Sequence, residues 1–156
     1  GFADEVTVMA PCINGKMNEV QAALGLLQLK YIDDLIERQK TISCKYRQAL
    51  KNVAGIDLLA EQVDIKSNYS YFPIMVGPEY PVSRDDLYQK LRGCDIFARR
   101  YFFPLISDMP MYRGLPSAVA ANLPNASQIA LQVLCLPIYP ELCDDDLSLI
   151  IESIRN

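Results

Sequence analysis

The chain has 156 residues, 51% of them apolar, with five cysteines, no histidine and a formal net charge of −4. This length suits one domain with a hydrophobic core, and the acidic balance argues against a nucleic-acid-binding face. No apolar run approaches the roughly 20 residues of a membrane span, and no signal-peptide pattern is present at the start. We therefore expect a cytoplasmic protein with no nucleic-acid or membrane partner.

The cysteines and the missing histidine restrict the chemistry of the chain. The cysteines are widely spaced and include no Cys-x-x-Cys pair, so the sequence predicts no metal site and reduced, incidental thiols. Without histidine, Ser–His and Cys–His nucleophile systems are excluded, and the commonest general base at neutral pH is absent. We expect that this chain does not carry out acid–base chemistry by itself.

The first predicted element is one long amphipathic helix that ends at Gly55, the expected left-handed stop. Asn18 is the predicted N-cap, with Gln21 as its reciprocal partner in a capping box. The apolar residues that follow recur mostly at steps of three or four and so share one face: Val20, Leu24, Leu27, Tyr31, Leu35, Ile42, Tyr46, Leu50 and Val53. Such a helix would be roughly 55 Å long, more than a domain of this size covers, so we expect something else to pack on it.

The remaining pattern predicts an α+β fold, with this long N-terminal helix and a small, mostly antiparallel sheet covered by helices. Pro73 indicates an edge strand or an interrupted ladder. Ser83 is the predicted cap of the second helix. The predicted elements are strands at 56–59, 69–76, 96–103 and 134–138, helices at 84–93, 124–133 and 144–154, and a loop at 105–122.

Two local features could carry function. Asn14, Gly15 and Lys16 precede a helix N-terminus, where an amide and an ammonium group suit a phosphate or carboxylate; an ordinary Asn-Gly turn is the alternative. Arg99 and Arg100 would point to opposite faces of a strand, so at most one can face a site; the alternative is an exposed pair on an edge.

A glycine inside the first predicted helix points to a close contact. Gly25 costs about 1 kcal/mol relative to alanine in a helix interior. A close approach by another backbone, from this chain or a partner subunit, would offset that cost. The acidic run 144–146, by contrast, is interpreted as helix capping and dipole compensation and not as a metal site.

Three segments occur in this order: INGKMNEVQAALGLLQL at 13–29, FARRYFFPL at 97–105 and CLPIYP at 135–140. Together they resemble the pyridoxal-phosphate-dependent nucleotide-sugar aminotransferases of the DegT family. The resemblance implies that residues 14–156 are the C-terminal small domain of a fold-type-I aminotransferase, after a leftover linker at 1–13 from a missing large domain. The family's Schiff-base lysine lies upstream, so no catalytic residue is expected in this chain. We expect the chain alone to be inactive and not to bind pyridoxal phosphate tightly.

The resemblance also implies roles for individual residues. Asn14 matches the family's asparagine that reaches the cofactor phosphate of the other subunit. Lys16 replaces an arginine, which keeps the charge but loses the bidentate fork. Tyr101 is a candidate for the substrate pocket, and Ile106 stands where many members carry a histidine in the sugar site.

For the intact protein, the resemblance implies a homodimer with a composite active site. It would move an amino group from an amino acid, with glutamate as the expected donor, to a keto-sugar nucleotide for aminodeoxysugar or cell-surface polysaccharide biosynthesis. The alternative hypothesis is a stand-alone α+β small-molecule-binding or regulatory module, monomeric and with a covered first helix. The aminotransferase hypothesis predicts instead an exposed apolar strip near residues 22–29, satisfied by self-association.

Overall fold

The structure, a computed structural model, describes residues 15–156. The chain divides into two compact units, residues 1–34 and 35–156. In the first unit, helix α1 (Glu19–Leu29) begins with the predicted capping box. The backbone N–H of Gln21 donates to Asn18 Oδ1 at 2.8 Å, and the N–H of Asn18 donates to Gln21 Oε1 at 3.2 Å. No side chain of α1 is buried, which confirms the predicted exposed apolar strip.

The prediction of one continuous helix is wrong, because a tight turn separates α1 from helix α2 (Ile32–Leu50). The N–H groups of Lys30 and Tyr31 donate to carbonyls three residues back, at 3.1 and 3.0 Å, and this tighter pattern interrupts the α-helical ladder. The apolar period continues through Tyr31 and so concealed the break. Asp33 and Asp34 in the first turn of α2 mark the second start, since acidic residues stabilise a helix N-terminus.

The C-terminal end of the long predicted helix also differs from the prediction. Helix α2 ends at Leu50, five residues before Gly55. Gly55 does adopt the expected left-handed conformation, with φ +74°, but it lies in the turn that leads into the sheet. Its carbonyl accepts a hydrogen bond from the N–H of Gly77 at 2.7 Å, which closes the backbone against the end of the next strand.

The sheet has three antiparallel strands in the order β1–β2–β3, namely β1 (Ile56–Leu58), β2 (Phe72–Val76) and β3 (Val133–Leu136). The strand predicted at 96–103 is wrong: there, only Arg99 pairs with Cys135, as an isolated bridge. The chain turns away directly afterwards, because the N–H of Phe103 donates to the carbonyl of Arg100 at 2.8 Å. Pairing at 99 adds a short fourth segment beside β3.

Pro73 lies in the central strand, yet its missing N–H breaks no ladder hydrogen bond. Its partner Cys135 uses both its N–H and its carbonyl to bond Arg99, so Pro73 and Cys135 form a non-hydrogen-bonded pair. The nitrogen of Pro73 therefore points toward the β1 side of the strand. Strand β1 ends opposite Ile74, so it has no residue opposite Pro73. Neither the predicted edge strand nor the predicted interrupted ladder is found, because β2 is the central strand and its pairing with β3 continues through Pro73.

Helices cover the sheet as predicted: α3 (Arg84–Gly93), α4 (Pro124–Gln132) and α5 (Asp144–Arg155). Ser83 caps α3 by accepting from the N–H of Asp86 at 3.1 Å. The predicted loop contains three short 3₁₀ turns, at Ile106–Asp108, Pro116–Ala118 and Ala120–Asn122. The core is formed by apolar side chains from α2, the sheet, α3 and α5, among them Ile42, Leu50, Phe72, Ile74, Leu87, Leu91, Leu134 and Ile150.

Two buried phenols tie helices to the rest of the core. Tyr46 of α2 donates to the carbonyl of Pro137 at 2.9 Å, and Tyr80 donates to the carbonyl of Ile154 in α5 at 2.6 Å. Burial raises the pKa of Tyr46 and of Tyr80, because the phenolate would lose its hydration. Both hydroxyls therefore remain protonated and act as hydrogen-bond donors at neutral pH.

A Gly55→Ala variant is expected to be strongly destabilised. Its Cβ would lie 2.0 Å from the backbone nitrogen of Tyr80, in a left-handed conformation, so we expect a loss of at least about 2 kcal/mol in the free energy of unfolding. Gly93→Ala is the control, since no atom lies within 4 Å of that position and a change within about 1 kcal/mol is expected. Urea unfolding followed by circular dichroism measures both. Equal stabilities of the two variants would contradict the tight turn at Gly55.

Candidate functional site

Three of the four residues predicted for function lie in the described part of the chain. Asn14 lies outside the described residues. Lys16 is exposed, two residues before the cap of α1, and no described residue forms an ion pair with it. Tyr101 is half-buried in the wall of a cavity, whereas Ile106 is 65% exposed in the first 3₁₀ turn and does not line that cavity.

The cavity of about 610 Å³ lies in the second unit, beside the end of β3 and helix α5. Its apolar wall includes Ile138, Leu142 and Leu149. Its polar and aromatic side chains include Tyr71, Arg99, Tyr101, Cys135 and Tyr139. A concave, mostly apolar surface with a few convergent polar groups is the usual form of a small-molecule site.

Arg99 and Tyr101 are fixed as a pair in this wall. Arg99 Nη1 donates to the hydroxyl of Tyr101 at 2.8 Å, and the Tyr101 ring meets Tyr71 edge-on with centroids 5.3 Å apart. The backbone of Arg99 is held by two hydrogen bonds to Cys135, at 2.8 and 2.9 Å. The oxygen of the Tyr101 hydroxyl thus accepts a hydrogen bond from Arg99. The O–H of Tyr101 can donate a second hydrogen bond to a molecule bound in the cavity.

The side chains of Arg99 and Arg100 face different surroundings, as the sequence indicated. Arg99 lines the cavity and forms no ion pair with any described residue. Arg100 Nη1 instead donates to Asp85 of helix α3 at 2.9 Å. This hydrogen bond, with a further contribution from Arg84, lowers the pKa of the Asp85 carboxyl and keeps it ionised. At most one of the adjacent arginines faces the cavity, which confirms the prediction.

A second cavity, of about 530 Å³, lies between α2, β1 and residues 59–73. Its cation, Arg47, is already neutralised, because Nε lies 2.9 Å from Glu61 and Nη1 donates to the carbonyl of Leu59 at 2.8 Å. Arg47 also lies against the Phe72 ring. This cavity therefore lacks an available charged group, and the cavity at Arg99 is the better candidate site.

Comparison with known proteins identifies the family of the chain. The DegT/DnrJ/EryC1/StrS aminotransferase family matches residues 2–155. The chain belongs to this family. It is 51% identical over 145 residues to the dTDP-4-amino-4,6-dideoxy-D-glucose transaminase of Escherichia coli. The aligned region covers 93% of this chain and 39% of that protein. The protein of the same name from Shigella dysenteriae is 43% identical, over 99% of this chain and 42% of its own length.

Solved structures show the same fold for this member of the family. The DesV structure from S. venezuelae, in complex with a ketimine intermediate, superposes with a TM-score of 0.81 at 24% identity, over 98% of this chain and 40% of that one. Helicobacter pylori PseC superposes with a TM-score of 0.80 at 24% identity, over 95% of this chain and 39% of that one. The chain spans about two fifths of the length of the curated relatives named here.

Sequence reasoning missed the ionic contacts behind the site. Arg84 is 3% exposed and donates from Nη1 to the carbonyl of Val133 at 3.0 Å. Its Nε lies 3.0 Å from Asp85 Oδ1. Arg84 and Asp85 follow a helix cap, where exposed charges are ordinary, so nothing local in the sequence indicated burial. Within residues 15–156, no group of acidic, cysteine or histidine side chains could hold a metal ion, and no helix could span a membrane.

Alkylation of Cys135 is expected to be slower than that of the other described cysteines. Cys135 is buried at the back of the cavity, and burial raises the pKa of its thiol, so little reactive thiolate is present. Cys44 is exposed on α2 and serves as the internal reference. Iodoacetamide labelling at mildly alkaline pH, followed by peptide mass spectrometry, gives both rates. Equal rates would contradict the closed Arg99–Cys135 pairing.

Proposed function

We propose that the intact protein is a pyridoxal-phosphate-dependent aminotransferase that moves an amino group from an amino acid, with glutamate as the expected donor, to a keto-sugar nucleotide. The observation that carries this proposal is the 51% identity to a dTDP-4-amino-4,6-dideoxy-D-glucose transaminase. It makes the dTDP-linked 4-keto-6-deoxyglucose the first substrate to test. Relatives named GDP-perosamine synthase and spore coat polysaccharide biosynthesis protein support a role in aminodeoxysugar or cell-surface polysaccharide biosynthesis. The proposal places the enzyme in the cytoplasm.

In this proposal residues 14–156 are the small domain, preceded by a linker at 1–13, and the Schiff-base lysine lies in the part of the protein upstream. Pyridoxal phosphate supplies the electron sink that amino-group transfer needs. The residues present suit its phosphate: the Lys16 ammonium is exposed and unpaired among the described residues, just before the N-terminus of α1. A helix N-terminus with an adjacent cation favours an anion. Asn14 would donate its amide to the same phosphate.

The cavity at Tyr101 is the proposed position of the sugar nucleotide. The Tyr101 hydroxyl accepts a hydrogen bond from Arg99, and its O–H would donate to a sugar oxygen. Ile106, five residues on, would contribute an apolar contact at the edge of the sugar site. The roles of both residues in binding the sugar nucleotide belong to this proposal, since the site is completed by the large domain and the second subunit.

Helix α1 supports the proposed homodimer. Val20, Leu24 and Leu27 are all more than half exposed. Apart from its chain neighbours and the backbone of its own helix, no described atom lies within 4 Å of the position that a Cβ on Gly25 would take. The close backbone approach predicted there is therefore not made by the described part of this chain. An apolar helix surface around an open glycine is suited to packing against a second copy. This arrangement would bring Asn14 and Lys16 to the other subunit's cofactor.

The enzymatic proposal is tested by assaying the intact protein with pyridoxal phosphate, L-glutamate and dTDP-4-keto-6-deoxyglucose, with the aminated sugar nucleotide detected by mass spectrometry. Wild type is expected to form the product. Tyr101→Phe is expected to raise the KM for the sugar nucleotide about tenfold, equivalent to about 1.4 kcal/mol for one lost hydrogen bond. Tyr112→Phe, outside the cavity wall, is the matched control and should leave KM unchanged. No product with any dTDP- or GDP-linked keto-sugar would contradict the proposal.

The proposed dimer is tested by placing a charge on α1. Leu24→Asp is expected to convert the intact protein from dimer to monomer at micromolar concentration, because a carboxylate buried in an apolar interface would lose its hydration. Val63→Asp is the control, since this side chain is exposed in the second unit. Analytical ultracentrifugation gives the mass of each species. A dimeric Leu24→Asp protein would exclude α1 from the interface.

A further inference from the structure

An alternating series of arginine and aromatic side chains runs between helix α3 and the segment 97–103. Each guanidinium carbon lies within 6 Å of the ring centroids beside it, which is the range of a cation–π interaction. The successive carbon-to-centroid distances are 5.7, 5.8, 4.4, 5.3 and 4.9 Å along Phe97, Arg92, Tyr88, Arg100, Phe103 and Arg84. The series thus connects three side chains of helix α3 with three of the segment that carries the cavity wall.

One carboxylate oxygen holds the central part of this series together. Asp85 Oδ1 lies 2.9 Å from Arg100 Nη1 and 3.0 Å from Arg84 Nε, and both guanidinium groups lie against the ring of Phe103. We use the name Asp85 clamp for Arg84, Asp85, Arg100 and Phe103. Arg84 is buried, so its charge is poorly hydrated and is stabilised by Asp85 and by the carbonyl of Val133.

The clamp holds both ends of the turn that contains Tyr101. Arg100 and Phe103 are its two members on this segment, and the N–H of Phe103 donates to the carbonyl of Arg100 at 2.8 Å. Tyr101 and Phe102 lie between them, so their backbone has little freedom once both ends are fixed. On the other side of the segment, the Arg99–Cys135 bridge sets the start of the turn.

We propose that the Asp85 clamp positions Tyr101 in the cavity wall, and that Arg84, Asp85 and Arg100 are positioning residues for that tyrosine. Loss of Asp85 leaves two neighbouring guanidinium groups without a shared counter-charge, one of them buried. Arg84 and Arg100 then repel each other across Phe103, and the turn is released from α3. That Tyr101 contacts the sugar nucleotide rests on the function proposed above; that the clamp holds Tyr101 does not.

The position of Tyr101 is measured by ¹⁹F NMR of the 156-residue chain labelled with 3-fluorotyrosine, with the Tyr101 resonance assigned by its loss in Tyr101→Phe. In Asp85→Asn and Arg100→Gln we expect the resolved Tyr101 resonance to shift and broaden. Arg113→Gln makes the same charge change as Arg100→Gln at an arginine with no ion pair or ring contact described, and should leave the resonance in place. Thermal unfolding of each variant shows that it is folded at the temperature of measurement.

The outcomes separate this proposal from the enzymatic one. If Arg100→Gln is folded and its Tyr101 resonance is unmoved, the clamp does not position Tyr101 and the proposal is overturned, whatever happens in Asp85→Asn. If the resonance moves, the clamp is supported. In the intact enzyme, Arg100→Gln should then raise the KM for the sugar nucleotide by the same factor as Tyr101→Phe, with Arg113→Gln unchanged. A moved resonance with an unchanged KM supports the clamp and removes Tyr101 from the substrate site.

Discussion

Two backbone hydrogen bonds between Arg99 and Cys135 determine where the candidate site lies. They attach a short segment to β3, beyond the point where the regular sheet ends. Consecutive residues of that segment then face different surroundings, with Arg99 and Tyr101 in the cavity wall and Arg100 on helix α3. The cavity and the ionic contacts behind it therefore lie on two sides of one short piece of chain.

The second unit has a continuous core of its own, whereas no side chain of α1 is buried. This contrast fits a chain that spans about two fifths of its curated relatives. A fold can be complete in its core while its active surfaces still need other parts of a longer protein. The match over residues 2–155 establishes the family of this chain. The substrate, the cofactor and the dimer are proposals for the intact protein.

The features that could be predicted from the sequence depend on local contacts. The capping box at Asn18, the cap at Ser83 and the acidic start of α5 each involve side chains within three residues of one another. The break at Lys30 was missed because apolar periodicity continues across it. The strand predicted at 96–103 is wrong because a backbone hydrogen bond from Phe103 to Arg100 turns the chain, and no turn residue marks this position in the sequence. The Asp85 clamp joins residues 15 positions apart, so its members look like ordinary surface charges until the tertiary fold brings them together. The roles of Asn14, Lys16, Tyr101 and Ile106 stay predictions.

The proposed function requires this chain to complete the aminotransferase site of a neighbouring subunit. Subunit mixing tests it most directly, with one inactive intact protein lacking the upstream Schiff-base lysine and a second carrying Asn14→Ala. If Asn14 serves the other subunit, each mixed dimer has one fully intact site, and random exchange should restore about a quarter of wild-type activity. If the mixture is no more active than its components, Asn14 does not act across the dimer and the account is contradicted.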